Sequence, residues 1–445
     1  MKNKIKILIL IPIIIGIIIG IYYALTNFYS DKINLKKINE NVFSILQNKR
    51  AELTEFYIYG TNLNVTGKID GINKDNVETV KLLLTDGLED EKLYTIDYEF
   101  VDGVFIFTSS NEMNYAINLD ELQPKKYYLL LRLKLNNSVN YRYFSLENKT
   151  SYSNLEYYTV TNNNSNNRVD IMFENNNYKN NEIPYMSISV RNEQLPENVY
   201  DIVIDAGHGG IDKGEKSGDY IESEITLDYA LSLKEVLEQK GYKIKLTRDG
   251  TESDKDITGT SMYNDNGRVN VTQESKAKLL ISLHVNNGGS SLNGIEVYAP
   301  CNCNLKLAKR IADNVVENVD GIDYSNNEQY KKQDGVYVKN FTKSLIEAFN
   351  LALEQQEIEP YNITNDTPYL YIIREVGGIA TNAYVDGRNK LYGVNKYLKS
   401  NIGIEAYQVE LGYIKTDAES LTTNKQEYVN QIADAIEQNF KNIEK

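Results

Sequence analysis

The stretch of sequence that decides the fold is Ile202-Val203-Ile204-Asp205-Ala206-Gly207-His208-Gly209-Gly210. It begins with apolar, mostly β-branched residues and ends in three glycines around a single histidine. The apolar run predicts a buried strand, and the glycines permit a tight exit with unusual backbone angles. Open α/β sheets bind their ligands at the carboxyl ends of strands, so His208 is a candidate site residue.

A second histidine occupies a matching position. The chain contains only two histidines, and the other one, His284, ends the apolar run Leu279-Leu280-Ile281-Ser282-Leu283-His284. Two rare imidazoles at the ends of two predicted strands suggest that both belong to one site.

Residues 201–445 read as an α/β domain with a mostly parallel sheet flanked by helices. Ser223 can cap a helix that Gly241 stops, and Lys243–Thr247 alternates as a strand, so the order is strand, helix, strand. Further helices are predicted at Arg268–Lys278, around 305–316, at Thr342–Gln355 and near the carboxyl terminus. The last strand is predicted at Ala406–Val409 and ends at Glu410.

Four side chains are thereby expected at one rim of the sheet. His208, His284 and Glu410 end or follow strands, and Glu222 lies at a helix start one loop from His208. One such residue alone is usually structural, but two imidazoles and a carboxylate are the usual ligands of a catalytic zinc with one open position. A further carboxylate is needed to move protons. The residue types leave open which glutamate would bind the metal and which would act as base.

Several separated blocks, in order, resemble the zinc-dependent N-acetylmuramoyl-L-alanine amidases of the amidase_3 type. The blocks are Ile202–Gly210, Tyr220–Leu227, Leu246–Asp249, Arg268, Ile281–Asn286 and Val409–Tyr413. The resemblance implies that His208, Glu222 and His284 bind one zinc ion per chain and that Glu410 is the catalytic carboxylate. It also implies hydrolysis of the amide between the lactyl group of N-acetylmuramic acid and L-alanine of the stem peptide.

Two other functions stay open on the sequence alone. A zinc peptidase acting within the stem peptide can use the same ligands, and a wall-binding protein can retain the fold without catalysis. The net charge of −14 makes nucleic acid an unsuitable partner. Peptidoglycan is the expected substrate, and the sequence identifies no protein partner.

The sequence departs from the resembling family between Val376 and Ile402. Leu370-Tyr371-Ile372-Ile373-Arg374 resembles the strand that normally leads within a few residues into the last one, but here Val376–Ile402 intervenes. This insertion has a net charge of +3 and begins with Gly377-Gly378, which can form a hinge. The candidate substrate-binding residues are Arg374, Arg388, Lys390 and Asn286.

The amino-terminal residues 1–30 are predicted to form a membrane anchor or, alternatively, a cleaved signal. Three lysines precede an uncharged run from Ile7 to Leu25, which nearly matches a bilayer core, and the exit has no good cleavage site. The lysines favour a cytoplasmic amino terminus, so the rest of the chain is expected outside the cell membrane as a single-pass protein facing the wall, or secreted. Residues 31–54 show helical spacing and are predicted to form a juxtamembrane stalk.

Residues 55–192 are predicted to form an all-β, immunoglobulin-like sandwich of about seven strands. Leu122–Tyr127 resembles the tyrosine corner of such sandwiches, in which the tyrosine hydroxyl bonds to an upstream backbone group. The runs Asn162–Asn167 and Asn175–Asn181 are expected to be exposed loops, and residues 193–200 a linker. Because the region has no cluster of catalytic residue types, we interpret it as a spacer.

Overall fold

The computed structural model describes residues 36–46, 49–89, 91–136, 138–160, 166–251, 266–355, 363–381 and 400–441. An all-β region, here called the β domain, covers residues 50–192, and an α/β domain follows from residue 202. The predicted anchor at residues 1–30 lies outside the described residues. Within the described part of the chain, no helix is both long and apolar enough to cross a membrane.

In its described residues the β domain contains twelve strands rather than about seven, because tight turns divide the longer runs. Gly60, at a φ of 59°, forms such a turn inside the predicted strand Phe56–Thr66. The strands are β1 (Arg50–Tyr59), β2 (Asn62–Ile69), β3 (Val77–Thr85), β4 (Glu91–Thr95), β5 (Asp97–Val101), β6 (Val104–Thr108), β7 (Ile117–Asn118), β8 (Lys126–Leu135), β9 (Tyr141–Asn148), β10 (Leu155–Val160), β11 (Asn166–Tyr178) and β12 (Asn181–Asn192).

These strands form one continuous sheet that folds over a shared core. Phe56 on β1 contacts Phe173 on β11 with ring centroids 5.0 Å apart, although three other strands separate β1 from β11 along the sheet. Short 3₁₀ turns lie at Lys74–Asn76 and Leu119–Glu121. The contact predicted for the tyrosine corner is present: the backbone N–H of Gln123 donates to the Tyr127 hydroxyl at 3.2 Å.

The helical spacing predicted for residues 31–54 is borne out only in part. A π-helical turn covers Asn39–Phe43 and a short α-helical turn covers Ser44–Leu46, but β1 begins at Arg50, inside the predicted stalk. Phe43 and Leu46 are buried against Tyr128 and Tyr185 of the sheet. This segment is therefore packed on the β domain instead of standing free of it.

The α/β domain is built on a seven-stranded sheet in the order β16-β13-β17-β22-β18-β20-β19. Its strands are β13 (Ile202–Ala206), β16 (Ile244–Leu246), β17 (Leu279–Asn286), β18 (Glu296–Tyr298), β19 (Lys331–Gln333), β20 (Val336–Tyr337) and β22 (Glu405–Tyr413). The first four strands in the order are parallel, and β18 runs antiparallel to β22. The mostly parallel sheet predicted from the sequence is thereby confirmed. A separate two-stranded ribbon joins β14 (Lys216–Ser217) to β15 (Tyr220–Ile221).

Helices cover both faces of this sheet. They are α1 (Glu222–Gln239), α2 (Arg268–Glu274), α3 (Lys306–Asn318), α4 (Lys343–Glu354), α5 (Tyr371–Val376), α6 (Ala418–Thr423) and α7 (Lys425–Phe440). Residues of α1, α3 and α7 share one buried apolar cluster with the sheet, and residues of α2 and α5 share another on the opposite face.

The predicted strand Leu370–Arg374 is wrong. Tyr371–Val376 forms the helix α5, in which Ile372, Ile373 and Val376 are buried against the sheet. Spacings of three and four residues place these side chains on one helical face, and packing there overrides the β propensity of tyrosine and isoleucine.

The β domain and the α/β domain meet along a hydrogen-bonded contact. The short strand β21 (Ile402–Gly403), at the end of the predicted insertion, pairs in parallel with Ile58 and Tyr59 of β1. The Asn114 side chain reaches Glu405, at the start of β22, with Nδ2 2.7 Å from Oε1. Tyr59 is also buried within the apolar cluster of the α/β domain.

Candidate metal centre

His208 is held at the carboxyl end of β13 in a conformation that few residues adopt. Its φ is 59°, in the left-handed region that is uncommon for residues with a side chain. Buried arginines fix the surrounding carbonyl groups: Arg268 donates to the His208 oxygen, and Arg248 donates from Nε to Ala206 at 2.9 Å. Such strain is maintained only where the surrounding structure determines it, and it is typical of functional positions.

Glu222 is the first residue of α1 and is almost fully buried. Backbone N–H groups hold both oxygens of its carboxylate: Glu215 donates to Oε2 at 2.9 Å, and Val285 donates to Oε1 at 3.0 Å. The carboxylate is therefore fixed in position by the loop before the helix and by the neighbouring strand β17.

His284 lies near the end of β17, and its ring rests on the backbone at Gly207. A Cβ atom added to Gly207 would lie 2.5 Å from the ring, closer than any real contact. Gly214 has the same role on the other side, because a Cβ atom there would lie 2.6 Å from Glu222 Oε2. The glycines of these two loops thus leave room for the imidazole and carboxylate groups.

The two imidazoles and the carboxylate converge. Oε1 of Glu222 lies 3.0 Å from His208 Nε2 and 3.1 Å from His284 Nδ1. One ligand atom from each of the three residues lies within 4.8 Å of the others, which is a spacing that suits a metal ion. The other ring nitrogen of His208 faces Asp212 Oδ2 at 3.0 Å, an interaction that fixes the tautomer in many metal sites.

The charges at this centre favour a cation. Burial would lower the pKa of His208, but hydrogen bonds to Glu222 and Asp212 raise it to about 9. Burial would raise the pKa of Glu222, but hydrogen bonds from His208 and His284 lower it well below the usual range. The centre thus attracts a proton to the His208 imidazole, and a divalent cation that binds there competes with that proton.

Glu410 lies beside the three potential ligands but not among them. It is opposite His284 in the parallel register of β17 and β22, within the strand rather than at its end as predicted. Its side chain is largely buried, and burial raises the pKa of its carboxyl group although the charge of His284 and a hydrogen bond from Gln408 oppose the rise. Gln408 Nε2 donates to Oε1 at 2.7 Å.

Next to Glu410 on the antiparallel strand is a second buried carboxylate, Glu296. Its two oxygens accept hydrogen bonds from five neutral groups, which belong to Asn286, Tyr298, Ser325, Asn327 and Tyr413. Neutral donors in this number stabilise the buried group without a cation in contact with it.

Of the four candidate substrate-binding residues, the structure describes two, and both of these hydrogen-bond to other parts of the protein. Asn286 donates from Nδ2 to Glu296 at 2.9 Å, so it supports the buried carboxylate. Arg374 is buried and donates to the carbonyl oxygens of Pro368 and Tyr369, so it braces the loop before α5. Arg388 and Lys390 lie outside the described residues. Their roles in substrate binding stay predictions.

Sequence reasoning missed the residues that support the centre. Glu296 acts through a contact between strands that are distant in sequence, whereas Asp212 reaches His208 within one loop. Gln408 is two residues from Glu410 and so shares its face of the strand. The spacing of two was the only signal available in advance. Together these residues form a centre that can hold a metal ion beside a proton-accepting carboxylate.

Comparison with known proteins gives one family. Residues 202–442 match the family model Amidase_3, described as N-acetylmuramoyl-L-alanine amidase. The germination-specific N-acetylmuramoyl-L-alanine amidase of Bacillus subtilis (strain 168) is 32% identical over 165 residues, which are 34% of this chain and 65% of that protein. The N-acetylmuramoyl-L-alanine amidase LytC of the same strain is 31% identical over 134 residues, which are 30% of this chain and 25% of that protein.

A solved structure, the CwlD amidase from Clostridioides difficile in complex with the GerS lipoprotein, is 22% identical with a TM-score of 0.34. The structural alignment covers 55% of this chain and 100% of the CwlD chain. The chain spans less than two thirds of the length of the two Bacillus relatives that it matches.

Proposed function

Since the chain belongs to the Amidase_3 family of N-acetylmuramoyl-L-alanine amidases, we propose that it is a zinc-dependent peptidoglycan hydrolase. Its reaction is cleavage of the amide between the lactyl group of N-acetylmuramic acid and L-alanine of the stem peptide. The observation that carries the proposal is the convergence of His208, Glu222 and His284 beside the buried carboxylate of Glu410.

The three converging residues fit a zinc ion. Two imidazole nitrogens and one carboxylate oxygen are the ligand set of many catalytic zinc sites, in which a fourth position stays open. When bound, zinc would polarise the substrate carbonyl and make water more acidic. Asp212 holds the His208 ring with Nε2 turned toward Glu222, and Glu222 is held by two backbone N–H groups.

Glu410 is the proton carrier of the proposed reaction. Its position opposite His284 places it at the edge of the centre, and its burial raises the pKa of its carboxyl group toward the working pH. Gln408 occupies Oε1 as a hydrogen-bond donor, which leaves Oε2 to take a proton from the attacking water. The same oxygen then returns the proton to the nitrogen of the departing L-alanine.

Mass spectrometry of digested peptidoglycan tests the proposal. Residues 31–445 are incubated with purified peptidoglycan, with the Glu410→Gln variant as the matched control. We expect new amino termini that begin with L-alanine, and no such products from the control. New termini at any other stem residue would make the protein a zinc peptidase, and binding without release would make it a wall-binding protein.

We also infer that the enzyme works outside the cell membrane, facing the wall. The support is the uncharged run from Ile7 to Leu25 after three lysines, together with the location of peptidoglycan. Protease treatment of intact cells tests this placement: digestion of the α/β domain is expected, and full protection would contradict it. Release of the chain into the medium would favour a cleaved signal over an anchor.

We infer in addition that residues 55–192 are an immunoglobulin-like sandwich. The support is the hydrogen bond between Gln123 and the Tyr127 hydroxyl, which a tyrosine corner requires. Tyr127→Phe removes that bond alone, so we expect a lower urea midpoint for the β domain and unchanged hydrolysis. An unchanged midpoint would contradict this assignment.

A further inference from the structure

A lysine lies two strands beyond Glu410, and its ammonium group forms no ion pair or hydrogen bond with any described residue. Lys339 follows β20, and the sheet order runs from the metal centre on β13 and β17 through Glu410 on β22 and Glu296 on β18 to β20. Within the part of the chain that the structure describes, the Lys339 ammonium has no carboxylate within 4.0 Å and no hydrogen bond. An ammonium group has three N–H donors, so Lys339 can donate up to three hydrogen bonds to a ligand.

Aromatic rings hold this ammonium from two sides. Lys339 Nζ lies 4.6 Å from the ring centroid of Tyr369 and 5.3 Å from that of Tyr330. Such cation–π contacts orient an ammonium without neutralising its charge. Tyr330 holds its ring there at a φ of 68°, and Arg374 fixes the Tyr369 carbonyl oxygen at 2.9 Å. The positioning of Lys339 therefore involves strained backbone and a buried arginine.

The nearby carboxylates do not require Lys339 as a counter-ion. Glu296 is satisfied by five neutral donors, and Glu410 accepts from Gln408. Burial lowers the pKa of Lys339, while the charges of Glu410 and Glu296 act in the opposite direction, so both carboxylates lie within electrostatic range of the ammonium group. Lys339 is half-buried, and its ammonium group forms no ion pair or hydrogen bond with the residues that the structure describes.

From these observations we propose that Lys339 is a specificity-determining residue that binds a free carboxylate of the stem peptide. The proposal rests on the proposed function, in which Glu410 protonates the leaving L-alanine. In the register of β22, β18 and β20, Lys339 lies four residues, or about 13 Å, along the strands from the level of Glu410, in addition to two strand spacings of about 10 Å. The lysine side chain covers part of this separation, and an extended peptide covers the rest in a few residues. The carboxylate therefore belongs to one of the first residues after the cleaved amide.

Charge supports an anionic ligand here. Residues 201–445 contain 27 lysines and arginines against 38 aspartates and glutamates, so the domain as a whole repels an acidic peptide. A single oriented ammonium beside Glu410 gives the peptide a local attractive contact and separates its carboxylate from Glu410 and Glu296. The sugar side of the substrate has no comparable need for a cation, because the scissile lactyl group is uncharged.

Two muropeptides that differ in one group test the proposal. Both carry L-alanine followed by a glutamyl residue linked through its side chain, with its α-carboxyl group either free or amidated. For Lys339→Met we expect a loss of about tenfold or more in kcat/KM on the free acid, mainly through KM, since a charged hydrogen bond is lost. On the amide we expect less than about a twofold change. Lys339→Gln serves as a second neutral variant if Lys339→Met fails to fold.

Lys343→Met is the matched control, because that lysine is exposed four residues farther along the chain, and its kinetics should not change. Equal losses on both substrates, or a loss confined to kcat, would overturn the proposal in favour of contact with the reacting carbonyl. Unchanged kinetics would overturn it as well.

Calorimetry separates this proposal from the proposed function. Binding of the free-acid muropeptide is measured in the Glu410→Gln background, with and without Lys339→Met, so no turnover is needed. Absence of hydrolysis by the parent protein would refute the proposed function, whereas equal affinities in the calorimeter would refute the role of Lys339.

Discussion

Two positions on β22, its first residue Glu405 and Glu410 farther along the strand, carry the same type of residue in contrasting surroundings. Glu405 and Glu410 are both largely buried, and burial raises the pKa of each carboxyl group. Glu405 accepts from Asn114 of the β domain and from Tyr407, whereas Glu410 lies beside the converging imidazoles. A raised pKa alone therefore does not identify the catalytic residue; its neighbours distinguish the structural position on the strand from the reactive one.

The largest expected effect comes from removing a metal ligand beside Glu410. His208→Ala or His284→Ala leaves two protein ligands, which hold zinc poorly, so we expect metal and hydrolysis to be lost together. Elemental analysis and muropeptide release measure the two quantities. Glu405→Gln, at the first residue of β22, is the control and should retain a full equivalent of zinc. Full zinc in both histidine variants would refute the ligand assignment.

The next effect separates the two glutamates by the same substitution. Glu410→Gln should retain zinc and reduce turnover by about 10²–10⁴, because the proton carrier is lost while the ligands remain. Glu405→Gln should leave kcat within about twofold of the parent, since its contacts face the β domain. Steady-state kinetics with zinc analysis checks both variants. Loss of zinc in Glu410→Gln would instead make Glu410 a ligand.

A smaller effect is expected at the contact between the domains. Asn114→Ala removes the amide that donates to Glu405 and accepts from the Asn304 backbone at 2.7 Å. We expect unfolding to become easier by about 1–3 kcal/mol, because buried partners lose their hydrogen bonds. Urea unfolding measures the change, and Asn140→Ala at an exposed position is the control. Equal stability of the two variants would show that the domains do not support one another.

The smallest effect concerns pH. A carboxyl group whose pKa is raised in the folded protein favours folding below its unfolded pKa of about 4.3, and this contribution is lost as the pH rises through the folded value. Glu405→Gln has no such loss. Its stability relative to the parent should therefore increase as the pH rises from about 4 toward neutrality. If the urea midpoints of Glu405→Gln and the parent protein changed with pH by the same amount over this range, the assigned pKa shift would be contradicted.

The sequence was sufficient to predict that the centre exists but not what supports it. His208 and His284 were recognisable because histidine occurs only twice and both follow apolar runs. Asp212 and Glu296 gave no such signal, since their partners are defined only by loop conformation and strand register. The side chains that reach an edge were predictable, whereas the hydrogen bonds that orient them depend on tertiary contacts.

Local composition misled the prediction where long-range pairing decided the structure. The asparagines at 175–177 predicted a loop, yet they continue β11 because each pairs with a residue of β12. The region interpreted as a spacer also contributes Tyr59 to the core of the α/β domain and Asn114 to Glu405. These contacts join residues that are far apart in sequence, where propensity carries no information.

The pairing of β1 with β21 has a consequence for biosynthesis. The ribosome synthesises β1 more than 300 residues before β21. In the folded protein the Ile58 N–H donates to the Asn401 carbonyl oxygen, and this acceptor is absent until most of the α/β domain has been synthesised. Contacts of such long sequence separation slow folding, and an uncovered strand edge can pair with another chain. We therefore expect the nascent protein to be most vulnerable to aggregation just before residues 401–403 emerge, because these three residues complete the pairing of β1 in the β domain.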